Sequence, residues 1–84
     1  MTTLLALFFM PNFTTITEPH YKINNCYENS TNGIIKITGI KKSDYMYTEY
    51  YFIEGKWKSV DYLYNSFTTI EEVYKKEIKC PNNT

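Results

Sequence analysis

The sequence predicts a small α+β domain. The expected architecture is an antiparallel meander of three to four strands, packed by a C-terminal amphipathic helix, with a short apolar helix at the N-terminus. Three observations lead there. Residues 33–62 consist largely of Ile, Thr, Tyr, Phe, Val and Trp in short runs broken by polar turns, which suits a pleated, half-buried surface. Within residues 69–79, Ile70, Val73, Tyr74 and Ile78 fall on one helical stripe. A chain of 84 residues also has room for only one modest core, so a single domain spanning 1–84 is expected.

In chain order, Leu4 to Met10 is an apolar run stopped by Pro11. It is too short to span a bilayer, and no positive stretch precedes it as in a signal peptide. Residues 1–12 therefore read as a short helix or as a leader remnant. If exposed, Leu4, Leu5, Leu7, Phe8 and Phe9 would favour self-association. Asn12 to Pro19 reads as an extended or turn segment, His20 to Ile23 as a strand, and Asn24 to Asn32 as a polar loop.

The meander follows. Alternation sorts its middle strand into one face with Tyr45, Tyr47, Glu49, Tyr51 and Ile53, and another with Met46, Thr48, Tyr50 and Phe52. Glu54-Gly55 marks a tight hairpin, with Gly supplying positive φ. Val60 to Ser66 fits either a strand end or a helical turn. For the last helix, Thr69 with Glu72 fits a capping box, and Glu71 with Lys75 and Glu72 with Lys76 are favourable i,i+4 pairs. Phe13 to Glu18 also echoes Phe67 to Glu72, and Cys26 and Cys80 lie at the same offset from Phe13 and Phe67. That pattern reads as a partial duplication or as coincidence.

Acidic and basic residues number nine each, and the absence of a basic excess argues against a nucleic-acid binder. Cys26 and Cys80 form no metal-ligand spacing. They read as two reduced thiols in a cytoplasmic protein, or as a disulfide in a secreted or periplasmic one. No cofactor motif is present. His20 is the sole histidine, and only Cys26 could serve it as a nucleophile, so no enzyme is expected. Asn12, Asn29 and Asn82 begin N-glycosylation patterns, which matter only in a secreted eukaryotic protein.

The aromatic residues are the most usable feature. Tyr45, Tyr47, Tyr51, Trp57 and Tyr62 form the expected interface, with lysines interleaved. Such residues suit a protein partner, or stack single-stranded bases, or simply fill a small core. The meander followed by Asp61-Tyr62-Leu63-Tyr64-Asn65-Ser66-Phe67 resembles small SH3-like barrels of phage and bacterial accessory proteins. That resemblance implies a barrel as the alternative fold, and an accessory or inhibitor role. The expectation taken forward is a non-enzymatic protein-binding module. Its alternatives are a small secreted disulfide-stabilised protein and a single-strand nucleic-acid binder.

Overall fold

A computed structural model describes residues 15–81. Residues 26–28 form β1 (Cys26–Glu28), followed by β2 (Ile34–Lys41), β3 (Asp44–Ile53), β4 (Lys56–Ser66), α1 (Phe67–Val73) and β5 (Lys76–Ile78). The strands make one antiparallel sheet in the order β4-β3-β2-β1-β5. The expected meander is therefore present as β2-β3-β4. Among the described residues the sheet stays open, with β4 and β5 as its two edges, so the barrel alternative is not the arrangement found there. The expected N-terminal helix lies outside the described residues, as do the Asn12 and Asn82 glycosylation patterns.

The turns follow their residues. Glu54 and Gly55 have φ of 52° and 77°, the pair of left-handed residues that matches a two-residue turn to the twist of its strands. The β2–β3 turn places Lys42 at φ 58°. In β4 the pairing register shifts opposite Thr48, and Tyr62 takes φ 64° in that bulge.

Both faces of the sheet bury side chains. On one, Tyr27, Ile35, Ile37 and Tyr45 pack with Phe67 and Ile70 of α1, flanked by Ile16, Tyr21, Tyr47 and Tyr74. On the other, Cys26, Ile34 and Tyr50 pack with Trp57, Ile78 and Cys80. Cys26 and Cys80 are joined by a disulfide. It links β1 to the segment that follows β5.

Three expected elements are corrected. His20 to Ile23 is not a strand; it is an irregular segment whose backbone is held by tyrosine hydroxyls. The strand lies slightly later, at Cys26–Glu28, inside the stretch expected to be a loop. The helix spans Phe67–Val73 rather than 69–79. Its cap is Ser66, whose Oγ accepts from the Thr69 amide at 3.1 Å. The helix stops early because tertiary contacts outweigh the i,i+4 pairs. The Tyr74 carbonyl accepts from the Tyr21 hydroxyl at 2.7 Å, and Glu71 turns to Tyr45 and His20. Lys76 and Ile78 then pair with Glu28 and Cys26 in the sheet. A pair on a helix surface contributes only about 0.2–0.5 kcal/mol, which those bonds and a strand pairing exceed.

Candidate functional site

β2 begins at Ile34, which pairs with Tyr50. Beyond that point, among the described residues, only β3 and β4 continue, through the pairs Tyr51–Lys58, Phe52–Trp57 and Ile53–Lys56. The result is a two-stranded arm extending past the rest of the sheet. Strand alternation puts Tyr51 and Ile53 on one side of it and Phe52 and Trp57 on the other. Phe52 meets Trp57 edge-on with ring centroids 5.3 Å apart, an arrangement favoured by the ring quadrupoles. Phe52 is nevertheless 60% exposed, and Tyr51 and Ile53 are also open to solvent. Exposed Lys56 and Lys58 lie along the returning strand, with Glu54 in the turn. At the base of the arm, the loop between β1 and β2 encloses a groove of about 440 Å³ against it, lined by Asn32, Gly33, Glu49, Tyr51, Phe52 and Trp57 among others.

The structure divides the expected interface residues. Tyr45 is wholly buried and Tyr47 packs half-buried against the same core; these two fill the sheet–helix layer rather than an open face. Tyr51 and Trp57 both lie on the arm, but on its opposite sides. Tyr62 is 82% exposed on the β4 bulge, one edge of the sheet. Sequence reasoning left out Phe52 and Ile53, although their position beside Glu54-Gly55 was a usable signal: residues next to a hairpin turn are often beyond the reach of neighbouring strands.

Buried Tyr27 and Tyr45 form a column with half-buried Tyr21. Tyr21 stacks on Tyr27 at 3.9 Å and on Tyr45 at 5.8 Å, and Tyr45 meets Phe67 at 4.8 Å. Their hydroxyls serve the irregular segment before β1. Tyr45 Oη accepts from the amides of His20 and Tyr21, each at 3.0 Å, and donates to Glu71 Oε2 at 2.5 Å. The Glu71 carboxylate also accepts the His20 amide at 2.9 Å and meets His20 Nδ1 at 2.8 Å. Tyr27 Oη accepts from the Lys22 amide at 3.1 Å. Burial and the Glu71 hydrogen bond push the Tyr45 hydroxyl up to about 12. Burial acts to raise Glu71, but the hydrogen bonds from Tyr45 and His20 outweigh it and hold its carboxyl below the ordinary value.

His20 thus has a carboxylate partner, the feature that orients a catalytic imidazole. The nucleophile considered for it, Cys26, has its sulfur tied to Cys80. Among the described residues, no group of three or more His, Cys, Asp or Glu side chains is placed to share a metal ion. No helix among them is long and apolar enough to cross a membrane. Compared with protein-family models, curated proteins and solved structures, the chain matches none.

Proposed function

We propose that this protein is a non-enzymatic binding module that engages a protein partner through its β3–β4 arm. The observation that carries the reading is the set of exposed apolar side chains on both sides of a two-stranded projection. Tyr51, Phe52 and Ile53 stay exposed, Phe52 against Trp57, whereas Tyr27, Tyr45, Tyr50 and Phe67 are buried in the two core layers. Aromatic anchors of this kind dominate binding energy at protein interfaces. Lys56 and Lys58 would form the polar rim around them. An accessory or inhibitory role fits a small module whose chief exposed feature is such an arm.

The test is capture of the native partner by a chain carrying Tyr51→Ser, Phe52→Ser and Ile53→Ser, all on the arm. All three side chains are exposed, so the melting curve should stay within a few degrees of wild type. Loss of one such anchor costs about 2 kcal/mol, roughly thirtyfold in affinity, so capture should disappear. Undiminished capture would overturn the assignment of the arm.

A second reading, compatible with the first, is that the module works in a secreted or periplasmic setting. The Cys26–Cys80 bridge supports it, because disulfides persist in oxidising compartments. Protein taken from its native host and alkylated without reduction should gain no alkyl groups, and should gain one on each cysteine after reduction. Alkylation before reduction would place the protein in a reducing compartment and reject this reading.

A further inference from the structure

The loop between β1 and β2 contains the one Asn-Gly pair of the sequence, Asn32-Gly33. We propose that this pair is a self-modifying site, held in check in the folded chain by the side chain of Asn29. The reaction needs only water. Gly33 N loses its proton to solvent base and attacks Asn32 Cγ. The new N–C bond forms as the Cγ–Nδ2 bond breaks, and Nδ2 leaves as ammonia after taking a proton from solvent. Water then opens the cyclic imide at either carbonyl, leaving aspartate or isoaspartate at position 32. No oxidant or reductant is involved.

Position and restraint are both visible. Asn32 is exposed, and its φ of 69° is one that asparagine tolerates better than most side chains. Gly33 has no Cβ to crowd the attacking nitrogen, which is why Asn-Gly cyclises readily in flexible chains. Here, however, the Gly33 amide donates to Asn29 Oδ1 at 2.7 Å. That bond favours the protonated amide, and a carbonyl oxygen facing the nitrogen opposes the anion that must form. The Asn29 amide donates to the Gly33 carbonyl at 2.9 Å, and the Asn32 amide donates to the Asn29 carbonyl at 3.2 Å. Ring closure therefore requires the loop to open at several points.

The restraint also explains why the labile glycine is present. A Cβ at position 33 would lie 2.7 Å from Asn29 Nδ2, closer than side chains pack. The clamp requires glycine, and glycine makes Asn32 reactive. Conversion would add a carboxylate to the groove beside Tyr51 and Trp57, and the formal charge would pass from zero, with nine acidic and nine basic residues, to one net negative. An isoaspartate would also lengthen the backbone between β1 and β2.

The experiment follows Asn32 by peptide mass spectrometry and isoaspartate detection at mildly alkaline pH. Four samples are compared: the folded disulfide-bonded protein, the same protein in urea, folded Asn29→Ala and folded Asn29→Asp. In urea, Asn32 should convert faster than any other asparagine. In the folded protein its conversion should be slower by about tenfold or more, since opening of the loop must precede it. Asn29→Ala should move the folded rate toward the urea rate, whereas Asn29→Asp, which keeps an acceptor for the Gly33 amide, should stay slow. If Asn29→Ala does not fold, the folded and urea rates of the wild-type chain decide. Equal rates in those two samples, faster conversion at another asparagine in urea, or a folded Asn29→Ala that converts no faster than wild type would overturn the proposal.

Discussion

Removing the bridge by Cys26→Ala and Cys80→Ala should cost about 4 kcal/mol of stability, the chain-entropy value for a closed loop of this length. The two cysteines are 54 positions apart, so the unfolded chain loses a large share of its freedom when they are joined. A domain of this size has only a few kcal/mol to lose. The double variant should therefore be largely unfolded at 37 °C, or have a urea midpoint far below that of the oxidised protein. Reduced wild-type protein should behave in the same way, which separates the loss of the bond from the loss of a buried sulfur at Cys26. A midpoint unchanged in both samples would show that the sheet holds without the bridge.

Tyr45→Phe should cost about 3 kcal/mol, although it removes a single oxygen. The Tyr21 amide has its acceptor in that hydroxyl, and Glu71 has its shortest hydrogen bond from it. The His20 amide keeps Glu71 as a second acceptor, which limits the loss. The pH profile tests the same contact. The Glu71 carboxyl is held below its ordinary 4.5 in the folded state. Its contribution is therefore present above pH 4.5 and lost as pH falls through the lower folded value. The Tyr45 hydroxyl is raised from 10.0 to about 12, so its contribution is full below pH 10 and lost as pH rises through about 12. Denaturation midpoints measured across pH should fall at both ends in wild type, and less steeply at both ends in Tyr45→Phe. Parallel profiles in the two proteins would mean that the Tyr45–Glu71 contact contributes nothing.

The meander was legible because its signals are local. β-branched and aromatic runs, period-two alternation and Glu54-Gly55 all act within a few residues of one another, and they place β2, β3 and the first part of β4, whose last residues to Ser66 they leave open. β1 and β5 were not legible. Each is three residues long, and Cys26–Glu28 and Lys76–Ile78 become strands only by pairing across the chain. The helix was placed late for the same reason. The pattern of Ile70, Val73, Tyr74 and Ile78 is helical on paper, yet Ile78 packs against the cluster of Cys26, Ile34 and Tyr50, on the opposite face of the sheet from Ile70. Of the interface, the aromatic composition was readable but the division was not. Nothing in the alternation of β3 distinguishes Tyr45 from Tyr51. The difference is where β2 begins, and a strand start is fixed by the loop before it.

The bridge has a mechanical consequence as well. Cys26 precedes the rest of the sheet and Cys80 follows it. A pull applied through the residues before Cys26 and after Cys80 passes from one sulfur to the other, and β2, β3, β4 and α1 hang outside the line of tension. Oxidised, the domain acts as a short inextensible link that still presents its arm under load. Reduced, the same pull is borne by the backbone between the two cysteines and draws on the three-residue pairing of β1 with β5 first.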